Sequence, residues 1–384
     1  MVNVAQLQQE IREFAASIGI DKIGFTTAAP FVKLKDRLKQ QQELNYQSGF
    51  EEPDVEKRTK PFLLLEGAES IISIAVAYPS KMADSPRGKK GERRGMFCRA
   101  SWGEDYHTVL RDKLAQLELF ILTKVPDARL RSMVDTGELV DRAVAERAGI
   151  GWSAKNCSII TPEFGSYVYL GEMITNLPFA PDRAMEDQCL DCTLCLDACP
   201  TGALIQPGQL NAQRCIAFLT QTKQPVPEEF RQKIGNRLYG CDTCQTVCPK
   251  NKGMNHTHQP AFTPEPERVK PLLLSLLSLS NRQFKEQYGH MSGSWRGKNP
   301  IQRNALIALA HFKDESAIPE LGRLVREDAR PMIRGTAVWA LGRIGTEPAE
   351  EILQKVSQIE QDEAVIAEIN KAMKQLSSNQ KKEV

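Results

Sequence analysis

The spacing of the cysteines constrains this chain more than any other feature of its sequence. Ten cysteines occur in 384 residues, and eight of them fall between positions 189 and 248. The first four follow the pattern C-x-x-C-x-x-C-x-x-x-C-P, which holds [4Fe–4S] clusters in bacterial ferredoxins. A shorter run, C-x-x-C-x-x-x-C-P, begins at Cys241, and Cys215 stands between the two runs. The pattern predicts two [4Fe–4S] clusters.

The proline-terminated runs also predict which cysteines share a cluster. In two-cluster ferredoxins the cysteine before proline binds the other cluster. Crossing the ligands in this way gives two sets of four, which are Cys189, Cys192, Cys195 and Cys248, and Cys199, Cys215, Cys241 and Cys244. Zinc is the alternative, since paired cysteines also bind it. Zinc does not need the four-cysteine run, and no histidine lies among these ligands.

Composition and charge place the chain among globular proteins. Apolar residues make up 41% and charged residues 26% of the chain, and the net charge is +2, which argues against extensive disorder. The longest apolar stretches are much shorter than the roughly 20 residues of a membrane helix. No basic segment with an apolar stretch behind it opens the chain. We therefore expect a cytoplasmic protein without membrane contact, in which grouped cysteines bind metal rather than form disulfides.

Periodicity predicts a mixed helix and strand region before the cysteines. Apolar residues from Val4 to Ile18 recur at helical spacing, and residues 105–125 and 137–148 also have helical patterns. Residues 21–25, 71–78 and 166–170 are expected to form strands. The interpretation is a multidomain α+β or α/β fold, with an α/β domain at 1–180 and a ferredoxin-like domain at 181–255. A proline-rich linker is expected at 256–271.

The remainder of the chain, residues 272–384, has a weak internal repeat. The segment Asn304–Ala310 resembles Gly335–Gly342 at an offset of 32 residues, and each copy is followed by a turn and a second helical pattern. Paired helices at this period are typical of HEAT-like repeats, which stack and provide docking surfaces.

Several motifs resemble the epoxyqueuosine reductase family. They are Val134-Asp135-Thr136-Gly137-Glu138-Leu139-Val140-Asp141-Arg142, the segments 93–103, 148–156 and 165–172, and Gly235–Gln245 after the first cysteine run. The resemblance extends over nearly the full chain. It implies reduction of epoxyqueuosine to queuosine at the wobble position of tRNAs with a GUN anticodon, the last step of queuosine synthesis. It also implies a corrinoid-binding first domain, with cobalamin and two [4Fe–4S] clusters as cofactors.

The resemblance also implies roles for individual residues. Asp135 is expected to be the general acid and to contact the cobalamin, with a pKa raised by partial burial. The alternative for Asp135 is a cap for a helix that begins at Thr136. The motif Asp-x-His-x-x-Gly does not occur, so we expect no histidine ligand to cobalt and a base-off cobalamin. Further cobalamin contacts are expected from Arg58, Cys98, Ser158, Ile159 and Leu170.

Recognition of the tRNA anticodon loop is expected from bases, aromatic rings and amides. Single-stranded loops are bound by stacking and by phosphate contacts. Basic residues are concentrated in 81–99 and 282–303. The candidate contacts are Tyr106, His107, Gln221, Lys223, Asn236, Arg237, Arg282, Trp295, Arg296 and Lys298.

Three other functions remain compatible with the cysteine pattern. A corrinoid reductive dehalogenase would act on a small organohalide, although such chains commonly carry an export signal and lack these repeats. A ferredoxin-type module would only transfer electrons to a partner, and a tRNA-binding protein would use the clusters as structural elements. The hypothesis that the chain is an enzyme requires an external electron donor. We expect the protein to be a monomer.

Overall fold

The computed structural model describes residues 3–380. It divides into two compact units, each built from three stretches of the chain. The first comprises Met1–Lys81, Arg99–Cys215 and Asp242–Thr263, and the second comprises Met82–Cys98, Ile216–Cys241 and Pro264–Val384.

The strands are short except for two in the first unit. They are β1 Lys22–Thr27, β2 Ser70–Ala77, β3 Met96–Phe97, β4 Leu130–Met133, β5 Trp152–Ser153, β6 Ile159–Ile160, β7 Val168–Thr175, β8 Leu204–Gln206, β9 Gln209–Leu210 and β10 Arg237–Tyr239.

Both units contain helices, and in the second unit helices account for most of the regular structure. The α-helices are α1 Val4–Ser17, α2 Val32–Glu43, α3 Val55–Thr59, α4 Tyr106–Lys124, α5 Asp141–Arg147, α6 Leu194–Asp197, α7 Ile216–Leu219, α8 Glu228–Ile234, α9 Thr243–Thr246, α10 Pro266–Val269, α11 Leu273–Leu277, α12 Asn281–Tyr288, α13 Lys298–Phe312, α14 Ile318–Glu327, α15 Pro331–Ile344, α16 Glu347–Val356 and α17 Glu363–Gln380. Single 3₁₀ turns lie at Pro61–Leu63, Arg99–Ser101, Ala212–Arg214, Pro249–Asn251, Pro260–Phe262, Ser292–Ser294 and Glu315–Ala317.

A four-stranded antiparallel sheet organises the first unit. Its order is β1-β2-β7-β4, and every neighbouring pair is antiparallel. The run of β-branched residues in β2 is buried along its whole length, as expected for a strand covered on both faces. Helices α1 and α4 pack together over one face, where Leu110 and Leu114 are fully buried. The antiparallel pairing makes this unit α+β.

Most of the predicted elements of the first unit are confirmed, with one exception. Helix α4 begins directly after Asp105, whose side chain accepts a hydrogen bond from the His107 backbone N–H as an N-cap. The predicted helix over 137–148 is wrong at its start, because α5 begins only at Asp141 and its N-cap is Val140. Residues 135–139 form a loop instead. Asp135 therefore does not cap a helix.

The second unit contains the helical repeats. Helix α13 packs on α15, α14 packs on α16, and α15 packs on α17. Proline lies in the first turn of α14, α15 and α16, where it costs no hydrogen bond. Gly345 ends α15 in the left-handed conformation with φ of 76°. The predicted paired-helix repeat is confirmed, with the matched segments inside α13 and α15.

Among residues 3–380, no helix is long and apolar enough to cross a membrane.

Candidate active site and cluster sites

An open pocket of about 1050 Å³ lies beside the loop that follows β4 in the first unit. Its floor includes the end of β4 and the residues after it, and its rim carries charges of both signs. The lining residues are Phe50, Glu51, Glu52, Arg111, Arg131, Ser132, Met133, Val134, Asp135, Thr136, Gly137 and Glu138. The motif that suggested a catalytic aspartate therefore lines an open pocket.

Asp135 is held at this pocket by side chains from the start of α4. The hydroxyl of Tyr106 donates a hydrogen bond of 2.7 Å to Oδ2 of Asp135. Nε2 of His107 lies 3.4 Å from the same oxygen, while its Nδ1 lies 2.7 Å from Oδ1 of Asp105. The ring of Tyr106 stacks on Tyr169 at 4.6 Å. The structure thus brings together three predicted site residues, Tyr106, His107 and Asp135.

The charges of this group contradict one expectation. Hydrogen bonding to His107 lowers the pKa of Asp135, although partial desolvation opposes the change. Its side chain is also 61% exposed. The expected raised pKa of Asp135 is therefore wrong, because a cationic neighbour stabilises the carboxylate. Burial disfavours the charged form of His107, but hydrogen bonds to Asp105 and Asp135 outweigh it and raise its pKa to about 9.

Two further carboxyls lie behind Asp135 that the sequence did not identify as functional. Burial and the charge of Asp135 raise the pKa of Asp141 to about 7. Glu172, in the middle of β7, is fully buried, and burial together with Asp141 raises its pKa well above the usual value. In sequence, Asp141 is an ordinary acid in the first turn of a helix. Glu172 has no signal other than its place in an apolar strand.

Four of the predicted cobalamin contacts lie in the first unit. Arg58, on α3, interacts electrostatically with Glu51 and Asp141. Ser158 follows Cys157, whose φ is 66°, and the carbonyl of Cys157 accepts a hydrogen bond from Arg142. Ile159 and Leu170 belong to one apolar cluster with Ala75, Ala145, Ala148 and Ile150. These residues provide polar donors and an apolar wall, which suits a corrin ring with its amide side chains.

Cys98, the one predicted cobalamin contact outside the first unit, lies in the second unit. Its backbone N–H donates to the carbonyl of Tyr239. Gly240, with φ of 71°, leaves room for the thiol, because a Cβ at that position would overlap the Cys98 sulfur. The thiol therefore rests on the chain just after β10.

The first predicted cluster site is a pocket in the first unit. Cys189, Cys192, Cys195 and Cys248 all line it, around about 370 Å³ of empty volume. Its wall is formed mainly by apolar atoms from residues such as Ala154, Ile160, Leu194 and Pro249. Burial raises the pKa of the Cys189 and Cys195 thiols. All four predicted ligands of the first cluster line one pocket, which is consistent with one cubane, in which each iron takes one cysteine.

The cysteines predicted for the second cluster are distributed over two stretches of chain. Cys199 ends the first run, and the backbone N–H of Ala203 donates to its sulfur at 3.2 Å. Such N–H···S bonds are typical of iron–sulfur ligands. Cys215 closes a 3₁₀ turn, and Cys244 lies in α9. Cys241 is the last residue of its stretch of the second unit.

Three predicted tRNA contacts form one group in the second unit. The indole N–H of Trp295 donates to Oε1 of Gln221 at 2.8 Å, and Arg296 donates to the Gln221 carbonyl. The Arg296 guanidinium also lies over the Trp295 ring, 4.8 Å from its centroid. Trp295 nevertheless remains 51% exposed. An exposed indole backed by a guanidinium is the arrangement that stacks on an unpaired base.

The other predicted tRNA contacts of the second unit differ in exposure and in hydrogen-bond partners. Lys223 is exposed, and Lys298 donates to the carbonyl of Leu279. Arg237 donates to the Ile234 carbonyl at the end of α8. Arg282 is highly exposed and pairs with Glu286.

Asn236 lines a second, strongly basic pocket that sequence reasoning did not resolve. This pocket of about 1100 Å³ lies in the second unit and has Arg87, Arg93, Arg94 and Lys270 in its wall. Glu267 pairs with Arg94, and buried Asp314 lies 3.3 Å from Nε of Arg93. The basic residues at 81–99 were the feature of the sequence that indicated this pocket. Only the structure shows that Lys270 lines the same pocket.

The paired cysteine runs, the carboxylate-lined pocket and the helical repeats together define an iron–sulfur oxidoreductase. Three family models match separate parts of the chain. Residues 58–136 match "Epoxyqueuosine reductase QueG, DUF1730", 188–251 match "4Fe-4S double cluster binding domain", and 298–374 match "HEAT repeats".

Curated relatives match over almost the whole length. The epoxyqueuosine reductase of Bacillus anthracis is 66% identical over 378 residues, covering 98% of this chain and 99% of the relative. That of Bacillus subtilis is 65% identical and covers 98% of each. This chain belongs to the epoxyqueuosine reductase family.

Solved structures agree with this assignment. A crystal structure of epoxyqueuosine reductase with an epoxyqueuosine-modified tRNA-Tyr stem loop matches with a TM-score of 0.96 and 65% identity. The match covers 98% of this chain and all of the other. A Bacillus subtilis structure, described as having its catalytic aspartate loop swung out of the active site, matches with a TM-score of 0.95 and 64% identity over 97% of this chain and all of the other.

Proposed function

We propose that this chain reduces epoxyqueuosine to queuosine in the anticodon loop of tRNAs with a GUN anticodon, with base-off cobalamin and two [4Fe–4S] clusters as cofactors. The observation that carries the proposal is the carboxylate of Asp135 at the edge of its pocket, bound by Tyr106 and lying beside a protonated His107. Removing an epoxide oxygen as water consumes two electrons and two protons. The proposal therefore requires both an electron path and a proton donor.

The clusters and the cobalamin account for the electrons. Iron–sulfur clusters pass electrons one at a time, and an external donor must supply them. A low-valent cobalamin supplies a strong nucleophile or reductant for the epoxide. The proposed cluster ligands are the eight cysteines predicted from the sequence. The four cysteines proposed for the first cluster line a single pocket.

Asp135 acts as the general acid that protonates the departing oxygen. Because its own pKa is low, it is a carboxylate near neutral pH and must receive the proton it delivers. His107, 3.4 Å away and protonated below about pH 9, is the neighbour that holds one. Two coupled groups of this kind titrate together. The description of a catalytic aspartate loop in the Bacillus subtilis relative supports this role.

The residues of the first unit would hold the cobalamin through polar and apolar contacts. Arg58 and Ser158 would bind its amide or phosphate groups, and Ile159 and Leu170 would cover an apolar face. Cys98, which directly precedes the 3₁₀ turn at Arg99–Ser101, is a further contact that the family resemblance implies. We assign residues 1–180 to this catalytic domain, 181–255 to the clusters, 256–271 to the linker and 272–384 to the repeats.

The second unit would bind the tRNA. Trp295, backed by Arg296, offers a stacking surface, and the pocket with Asn236 offers guanidinium groups for phosphates. Lys223, Arg237, Arg282 and Lys298 would add contacts to the backbone. The related structure that contains a tRNA-Tyr stem loop supports this proposal. A tRNA substrate also implies a cytoplasmic enzyme, and we propose that it acts as a monomer.

Anaerobic purification with cobalamin tests the cofactors first. We expect about eight irons and one cobalt per chain, with the absorbance of a base-off corrinoid. The purified protein is then reduced and given tRNA that contains epoxyqueuosine, and the nucleosides are analysed for queuosine. Eight irons without cobalt, and no queuosine, would contradict the proposal and favour an electron-transfer protein.

A further inference from the structure

Two acidic side chains behind Asp135 have no part in the chemistry described so far. Asp141 is the first residue of α5, and Glu172 lies in β7 opposite Met133 of β4 and Ser73 of β2. Glu172 is fully buried, and Met133 is nearly so. Burying a carboxylate is costly unless it is paired with a positive charge or protonated. Their position next to the Asp135 loop therefore requires an explanation.

The hydrogen bonding of Glu172 indicates that the two carboxyls share a proton. Among the described residues, neither Oε1 nor Oε2 of Glu172 has a hydrogen-bond donor when both acids are ionised. Its carboxyl lies within hydrogen-bonding reach of Asp141. Two carboxylates cannot bond to each other, but one proton between them supplies the missing bond. One shared proton gives one oxygen of Glu172 the partner that it lacks when both acids are ionised.

Asp141 in turn contacts the loop that carries Asp135. The backbone N–H of Asp135 donates to Oδ2 of Asp141 at 2.9 Å. Asp135 has φ of 52°, a left-handed conformation that a residue with a side chain adopts only when its surroundings stabilise it. Arg111 also binds this loop, through a 3.0 Å hydrogen bond to Oγ1 of Thr136. The Asp141 carboxylate is the charged acceptor for this strained segment.

Charged groups on three elements face Asp141. Asp135, from the loop after β4, and Glu172, from β7, favour its protonated form. Arg142, the next residue of α5, and Arg58, from α3, favour its ionised form. The pair therefore faces one further acid, Asp135, and two guanidinium groups, which is a balance that keeps one proton available near neutral pH.

We propose that Asp141 is the positioning residue of the catalytic loop, and that its carboxylate, sharing one proton with buried Glu172, holds Asp135 in its left-handed conformation at the pocket. The role in catalysis rests on the proposed function, whereas the hold on the loop does not. In the one-proton state Glu172 donates to Asp141, and Asp141 accepts from the Asp135 N–H as a charged group. A second proton makes Asp141 a neutral and weaker acceptor.

This arrangement makes the loop sensitive to pH. The pKa of Asp141, raised by burial to about 7, sets the point below which the second proton binds. We therefore expect the loop to be held more weakly as the pH falls through that value. Glu172 is already protonated in the one-proton state, so Glu172→Gln keeps a neutral donor to Asp141 and should leave the midpoint close to the wild-type value.

Hydrogen exchange measured by mass spectrometry tests the hold directly. The protection factor of a peptide spanning 133–140 is measured in the holoprotein at several pH values around 7. The wild type should lose protection by about tenfold or less below the midpoint, since a charged hydrogen bond is about twice as strong as a neutral one. Glu172→Gln should lose protection over the same pH range as the wild type, and Asp141→Asn should be less protected and insensitive to pH. Wild-type protection that does not change with pH would overturn the proposal without any variant.

A matched control and a second measurement separate positioning from stability. Glu146→Gln changes another acid of α5, whose carboxyl accepts from Ser153 instead of the loop, and it should behave as wild type. If Asp141→Asn lowers the melting temperature but keeps the wild-type pH profile of protection, the Asp141 carboxyl is only structural and the proposal fails. A midpoint of Glu172→Gln well below that of the wild type would show that Glu172 is ionised and that the two acids share no proton. Single-turnover formation of queuosine is followed over the same pH range. Protection that follows the prediction without turnover contradicts the proposed function alone, and turnover with flat protection contradicts the positioning role alone.

Discussion

The hydroxyl of Tyr106 donates a 2.7 Å hydrogen bond to the same oxygen of Asp135 that lies 3.4 Å from His107. An oxygen that accepts a hydrogen bond from Tyr106 and lies beside the charged ring of His107 keeps the carboxylate in a fixed direction. Because Tyr106 begins α4 and its ring stacks on Tyr169 of β7, the donor is positioned by the sheet and the helix together. The loop of Asp135 is thereby tied to the rigid part of the first unit.

Replacing Tyr106 by Phe should remove that tie and leave the stacking intact. A hydrogen bond to a charged group contributes about 1.5–3 kcal/mol, so we expect single-turnover queuosine formation to slow by roughly tenfold or more. Cobalamin content and iron content should not change. Tyr46→Phe, away from Asp135, is the control. Equal rates for Tyr106→Phe and wild type would show that the hydroxyl does not assist Asp135.

Replacing Asp135 by Asn should abolish most turnover while the cofactors stay bound. General acid catalysis contributes about 100-fold or more, and an amide cannot deliver the proton. We expect the visible spectrum and the iron and cobalt contents to match the wild type. Asp112→Asn, on the exposed face of α4, should be fully active. Full activity of Asp135→Asn would remove the acid role from this residue.

The charge on His107 should make the stability of the protein depend on alkaline pH. Its pKa in the folded protein, about 9, exceeds the ordinary 6.5 because hydrogen bonds to Asp105 and Asp135 outweigh burial. The protonated ring therefore stabilises the fold fully below about pH 6.5, and this contribution is lost as the pH rises through about 9. We expect the melting temperature of His107→Gln to lie about 2 °C below wild type at pH 6 and to converge with it above pH 9. His311→Gln is the control, and a difference that grows with pH would contradict the assignment.

The parts of the fold that could be predicted are those with a local signal. The cysteine spacing predicted the cluster region because three ligands of the first cubane lie within one short run, and the 32-residue offset identified the helical repeats. The helix expected at 137–148 failed at its start because residues 135–139 are held by tertiary contacts. Propensity contains no information about those contacts.

The electrostatics of the site depended on residues that are distant in sequence. His107 lowers the pKa of Asp135, and no pattern around Asp135 indicates that the start of α4 lies beside it. Glu172 was missed for the same reason, because only the pairing of β7 with β2 and β4 buries it. The motif predicted a catalytic role for Asp135, whereas the environment that sets its protonation could only be derived from the structure.

Replacing Cys215 by Ala should cost one of two clusters. Cys215 is the only cysteine of the sequence between the two runs, and a cubane that loses a ligand becomes labile. We expect iron to fall from about eight to about four per chain, with the spectrum of the remaining cluster retained. Cys157→Ala, which changes a cysteine outside the proposed sets, should keep the full iron content. An unchanged iron content for Cys215→Ala would refute the ligand assignment.

Replacing Arg87 by Gln should weaken tRNA binding in a manner that depends on salt. Arg87 is exposed and lines the pocket with Arg93, Arg94 and Lys270, so we expect it to bind a backbone phosphate. Losing one phosphate contact reduces the slope of log affinity against log salt by about 1 and weakens binding of different tRNA sequences alike. The affinity for an anticodon stem loop is measured at several salt concentrations. Lys355→Gln removes an equally exposed charge from α16, where Lys355 pairs with Glu351, and it should leave the slope unchanged. If both variants reduce the slope equally, the effect comes from net charge and the pocket does not bind phosphate.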